Sequence, residues 1–169
     1  MTGDGPASAD PERLFAEAGA VLAARLVDVV PAWVVRETAR IIDAWEATAP
    51  AAGVDRPAIA AQAVDAGRKA QQEVAQRLDT LVSADVDAQG STPLEIVRAA
   101  VRYPTEVLQA AGVPPVVRDA FDETRFPDDV YGLSPASLGA LDESLIDPAR
   151  AWGAAKAMAH KARHGSART

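Results

Sequence analysis

Apolar positions recur at steps of three and four along most of this chain, and no stretch alternates apolar and polar residues as a half-buried strand would. Asp10-Pro11 reads as a helix N-cap followed by proline at the first helical position, where the missing N–H costs nothing. The pattern predicts helix 1 from Pro11 to about Val29, with Phe15, Ala18, Leu22, Leu26 and Val29 on one face. Pro31 should end it and open a second helix, to about Thr48, that turns Val34, Thr38, Ile41, Ile42 and Trp45 inward. Asp55 then looks like the cap of a long third helix, Arg56 to about Val82. Its stripe is Ala60, Ala63, Gly67, Ala70, Val74, Leu78 and Leu81. The first half of that stripe is small, so a neighbouring helix should approach closely near Gly67.

After the polar stretch Ser83 to Gly90, prolines dominate. Thr92-Pro93-Leu94-Glu95 has capping-box spacing, in which Thr92 and Glu95 satisfy each other's free backbone N–H groups. The helix that starts there should kink or break near Tyr103, ahead of Pro104. Gly112 stops the continuation. Pro114-Pro115 is expected to open a short helix to about Arg125, and Phe126-Pro127-Asp128-Asp129 reads as a turn. Ser134-Pro135 should cap another short helix. Asp147-Pro148 should cap the last one, Ala149 to about His164, with Trp152, Ala155, Met158, Ala159 and Ala162 inward. The fold class is therefore all-α: a bundle of three or four long helices with the proline-broken segment packed on it. Residues 1–9 read as a disordered N-terminus, 10–164 as a single helical domain and 165–169 as a disordered tail.

Composition sharpens this picture. The chain has 169 residues, 49% apolar and 24% charged, which suits one globular domain. Aromatics are only 5% while alanines number 38, so the core should be close-packed helices lined by small residues. With no cysteine, disulfides, thiolate metal sites and cysteine nucleophiles are excluded. The start lacks the basic and apolar regions of a signal peptide. The most apolar stretch, Ala18 to Val35, holds Arg25, Asp28 and Pro31, which argues against a membrane segment. A cytoplasmic protein is expected. A net charge of −7 argues against nucleic acid as a partner.

Several residue groups are candidates for function. Thr105 to Val113, followed by Val116-Val117-Arg118, has the outline of a helix-turn-helix DNA reader. Pro114-Pro115 shortens the turn, however, and Asp119, Asp122 and Glu123 would face phosphates, so an ordinary packing corner is the better reading. Those three acids with Asp128 and Asp129 could hold a hard cation, but the spacing matches no calcium loop. A solvated acidic surface is preferred. His160 and His164, four apart, have zinc-compatible spacing without the glutamate of a zinc protease. Cations at a helix C-terminus are sufficient reason for them, and no metal or other cofactor is assigned. They belong to a basic face of Lys156, His160, Lys161, Arg163 and His164 in a segment, Pro148 to Thr169, that carries five cations and no acid. Tyr103, Phe121, Phe126 and Tyr131 gather around the prolines, and Trp33 lies off its helix stripe; these five are the candidate partner or ligand surface. Trp45 and Trp152 fall on stripes and should be core. No catalytic pattern is present: no Gly-rich phosphate loop, no nucleophile elbow, no metal-protease helix.

The stretch Ser91 to Leu133, above all TPLEIVRAAVRYPTEVLQAAGVPPVVRDAF and FPDDVYGL, resembles a block in small uncharacterised helical proteins of high-GC actinobacteria. The resemblance covers about a quarter of the chain. It implies a bacterial cytoplasmic setting, and supplies no activity and no functional residues. The expectation is a non-enzymatic helical interaction or adaptor protein, bound to a protein partner or to a second copy as a homodimer. The alternatives are a small-molecule-binding or enzymatic protein with a pocket under residues 103–131, and DNA binding at the Gly112 corner.

Overall fold

The computed structural model describes residues 9–82, 85–88 and 90–165. Of the ends expected to be disordered, residues 1–8 and 166–169 lie outside these residues, while Gly165 ends the last helix. Helices α1 (Pro11–Thr48), α2 (Arg56–Val82), α3 (Pro93–Ala99), α4 (Arg102–Ala110), α5 (Ala120–Arg125), α6 (Leu138–Leu141) and α7 (Ile146–Gly165) follow in order, with single 3-10 turns at Pro50–Ala52 and Glu143–Leu145. No strand occurs among the described residues. The fold is all-α.

Pro31 neither ends a helix nor starts one: α1 runs unbroken for 38 residues with Pro31 inside it. Proline has no N–H to donate to the carbonyl four residues back, and its ring crowds that carbonyl. Here the freed Val27 carbonyl accepts a hydrogen bond from Gln71 Nε2 on α2, at 2.9 Å. Gly67, one turn earlier on α2, sits directly on Pro31: a Cβ at Gly67 would stand 3.0 Å from the Pro31 carbonyl oxygen. The close approach expected at Gly67 is therefore real, and it is what brings Gln71 within reach. Gly53, at φ 65°, turns the chain between the two antiparallel helices.

The core lies between α1 and α2, with α4 packed against both, α3 against α2 and α7 along α1. Leu26, Val30 and Val34 of α1 and Ala70 of α2 have no exposed surface. Ile59 replaces Ala60 at the start of the α2 stripe, and Val30 is buried more deeply than Val29. Being continuous, α1 is also long and apolar enough to cross a membrane, with a mean hydropathy of 1.7 over its most apolar window. In this fold the same helix supplies nine buried residues to the core.

The capping box forms as expected: Glu95 N–H donates to Thr92 Oγ1 at 3.2 Å and Thr92 N–H to Glu95 Oε2 at 2.9 Å. Pro104 does break the helix, but at Ala100–Val101, because the residue its ring would strike is the one four back. The Ala100 carbonyl instead accepts from Tyr103 N–H at 3.1 Å. Three further boundaries differ from expectation. Val113 to Asp119 is extended, and the short helix begins only at Ala120, capped by Asp119. Ser137, not Ser134, caps α6. The last helix starts at Ile146, because the preceding turn, capped by Asp142, runs straight into it. The turn at Phe126–Asp129 is present, closed by Asp129 N–H to Phe126 O at 3.1 Å.

Candidate functional site

The proline-rich half builds a knob. Val113 leaves α4 through Gly112, whose φ of 77° lies in the left-handed region that glycine alone adopts freely. From there the chain runs out along Pro114–Pro115, folds into α5 and returns through Phe126–Asp129. Both legs are tied at the base. Tyr131 OH donates to Val113 O at 2.7 Å, Val116 N–H to Val130 O at 3.1 Å, and Arg118 Nη1 to Phe126 O at 2.6 Å. Asp129 is buried and its two carboxylate oxygens accept from Leu133 N–H (2.7 Å) and Ser134 N–H (2.8 Å). Beyond this base no described residue covers the knob: no residue of α5 is buried, Val117 is fully exposed and Phe121 is 67% exposed.

The five aromatic candidates separate accordingly. Phe121 is on the knob surface, with the Arg125 guanidinium 5.9 Å from its ring centre. Phe126 is half-buried between the guanidinium groups of Arg98 (5.2 Å) and Arg125 (5.1 Å). Tyr103 is half-buried and donates to Glu73 Oε2 at 2.5 Å, beside Arg102, which binds the same oxygen. Tyr131 is buried at 2% exposure and pins the base of the knob rather than offering a surface. Trp33 is also a correction: it is 2% exposed. Continuity of α1 through Pro31 extends the first stripe past the proline and turns Trp33 into the core. The sequence signal for Val117, which was read as part of a helix, was its fully apolar company in Val113–Val117.

The acidic cluster also divides. Asp119 caps α5 and Asp129 closes the loop, leaving Asp122, Glu123 and Asp128 exposed. Because Val113–Asp119 is extended, no second helix follows Gly112 at the spacing of a helix-turn-helix. Under residues 103–131 there are two grooves open to the surface. One, of about 450 Å³, is bordered by Asp65, Lys69, Tyr103 and Glu106; the other, of about 350 Å³, by Arg98, Arg102, Phe126 and Asp128. A third groove, of about 420 Å³, lies between α2, α3 and α7 against Arg77, Leu81, Ile96, Trp152 and Lys156.

The basic face of α7 is largely engaged within the molecule. Arg163 binds Glu12 (Nη2 to Oε1, 2.6 Å), Asp85 and Asp87 (Nη1 to Oδ2, 3.2 Å). These three carboxylates raise the Arg163 pKa further. Nε2 of His164 stands 2.9 Å from Asp87 Oδ1, and Nε2 of His160 is 3.7 Å from the same oxygen. The His164 hydrogen bond, joined by one from Arg163, outweighs desolvation and holds the Asp87 carboxyl below its usual range. Lys156 lies 5.2 Å over the Trp152 ring, and Trp152 is half-buried beside Phe15. Met158, expected inside, is 55% exposed. Only Lys161 of the five candidates is exposed with no acid described beside it. Comparison of the chain with protein-family models, with curated proteins and with solved structures gives no match.

Proposed function

We propose that this chain is a non-enzymatic helical interaction protein of the cytoplasm, an adaptor that docks a protein partner through the knob at Pro114–Arg125. One observation carries the reading: Val117 and Phe121 stand in water on a segment whose base is tied down by buried hydrogen bonds. Fully burying a valine or phenylalanine side chain stabilises by about 1.5–3 kcal/mol each. A segment already held in shape loses little further entropy when it binds. Val116 extends the same apolar surface, which is rimmed by Asp122, Glu123 and Asp128. The fitting partner therefore presents an apolar hollow with a basic edge. A second copy of the chain fits less well, since its most basic helix already holds its own acids.

A photo-crosslinking residue placed at Phe121 tests this in cells, with one at exposed Val64 as control. A discrete adduct from position 121, absent from 64 and lost on Val117→Asp, is the expected result. An adduct that survives Val117→Asp, or none at all, removes the adaptor reading. An adduct made only of this chain turns it into a homodimer reading. A second reading, small-molecule binding, draws on the groove at Trp152, where Arg77 and Lys156 flank an apolar wall suited to an anionic, apolar ligand. Thermal shifts with such ligands, abolished by Lys156→Ala, would favour it.

A further inference from the structure

We propose that Asp87, His160 and His164 form a binding site for a divalent transition-metal ion of the zinc type. Sequence spacing puts the two histidines one helical turn apart on α7, with ring centres 4.5 Å from each other. The fold adds what spacing cannot: it brings Asp87, from the connection between α2 and α3, against both. One donor atom from each of the three residues lies within 4.8 Å of the other two. Metal bonds to imidazole nitrogen and carboxylate oxygen run at about 2.0–2.2 Å, which places donors roughly 3.3 Å apart around a tetrahedral ion. All three side chains are exposed, so small rotations about their χ angles reach that spacing without disturbing packing.

The surroundings favour a dication. With neutral imidazoles, Glu12, Asp85 and Asp87 against Arg163 leave two negative charges in excess. The carboxylate ligand is also held in place. Asp87 N–H donates to Asp85 Oδ1 at 2.9 Å, and Arg163 grips Oδ2, leaving Oδ1 turned toward the histidines. Groups that orient a ligand in this way ordinarily strengthen a metal site. Two imidazoles and one carboxylate suit Zn²⁺, Co²⁺, Ni²⁺ or Cu²⁺ and disfavour Mg²⁺ and Ca²⁺, which prefer all-oxygen shells. Three protein ligands leave one position open to water. In the folded protein the ion would clamp the end of α7 to the α2–α3 connection.

The test is titration of the full chain with Zn²⁺, and with Co²⁺ for its visible absorption, alongside His160→Ala, His164→Ala and Asp87→Asn. Expected are one ion per chain, a cobalt spectrum of low coordination number, and a rise in Tm on adding Zn²⁺. Each histidine variant should weaken binding at least tenfold and lose the rise in Tm, while Lys161→Ala, on the same turn, changes neither. Circular dichroism confirms that the histidine variants, both on an exposed helix face, remain folded. The proposal falls if Zn²⁺ and Co²⁺ bind no more tightly than to a double histidine variant, or if Ca²⁺ competes equally.

Discussion

Two prolines, one in each half of the molecule, meet opposite fates. Pro31 sits in the middle of α1 and the helix runs through it; Pro104 sits at the start of α4 and the helix before it has already ended. Their local chemistry is the same, since each lacks an N–H and crowds the carbonyl four residues back, a penalty of about 3 kcal/mol in a helix interior. What differs is the neighbour. At Pro31, Gly67 lets α2 come close enough for Gln71 to donate to the Val27 carbonyl. At Pro104 the orphaned Ala100 carbonyl accepts instead from Tyr103 N–H, three residues on, and the helix is broken. The outcome of a proline in a helix is decided by whether a second element can supply the missing donor. In the first half this gives two long helices, each continuous, packed along one another. In the second it gives short pieces that can project a knob.

The contrast can be broken most severely at Gly67. Gly67→Leu drives a side chain into the Pro31 backbone and should cost about 3 kcal/mol by overpacking, read as a fall in the denaturant midpoint. A smaller and sharper effect belongs to Gln71. Gln71→Ala leaves the Val27 carbonyl without its donor and should cost about 1–2 kcal/mol. In a Pro31→Ala background, where residue 31 regains an N–H for that carbonyl, the same change should cost almost nothing. Equal costs in both backgrounds would refute the account of Pro31 given above.

At the other proline the effect should be electrostatic. Partial burial pushes the Glu73 carboxyl up, but hydrogen bonds from Arg102 and Tyr103 outweigh it and hold it below its ordinary value. A depressed carboxyl stabilises the fold fully above its unfolded value, about 4.3, and loses that contribution as pH falls through the lowered one. Glu73→Gln should therefore flatten the stability loss below about pH 4.3 in urea melts, and cost at most about 1 kcal/mol at neutral pH. The smallest effect is expected on the knob. Val117→Asp should shift stability by less than about 0.5 kcal/mol, since that side chain is fully exposed, while removing the adduct crosslinked from position 121.

Much of the scaffold was legible along the chain. The α2 boundaries, the Thr92–Glu95 capping box and the close approach at Gly67 all follow from rules acting over three or four residues. Errors arose where a local rule was overridden from a distance. Pro31 read as a helix end because Gln71, forty positions later, is invisible to periodicity, and Trp33 was misplaced with it. Pro114–Asp119 read as helical because a proline pair suits the first turn of a helix; in the structure these residues are not helical and Val117 faces water. The candidate sites fared similarly. His160 and His164 were evident as a pair, while Asp87 was not, because nothing in the spacing links the α2–α3 connection to the end of α7.

Helix content, the caps at Asp10, Asp55 and Thr92 and most of the apolar stripes of α1 and α2 were settled along the chain, since alanine-rich periodicity and capping act within a single turn. Which helices continue, which aromatic is hidden and which acids meet the basic end were settled only on folding. Those outcomes depend on donors, acceptors and charges that lie 40 to 150 residues apart in the chain, as in Gln71 to Val27 and Arg163 to Glu12. No local pattern records such pairings; packing alone creates them.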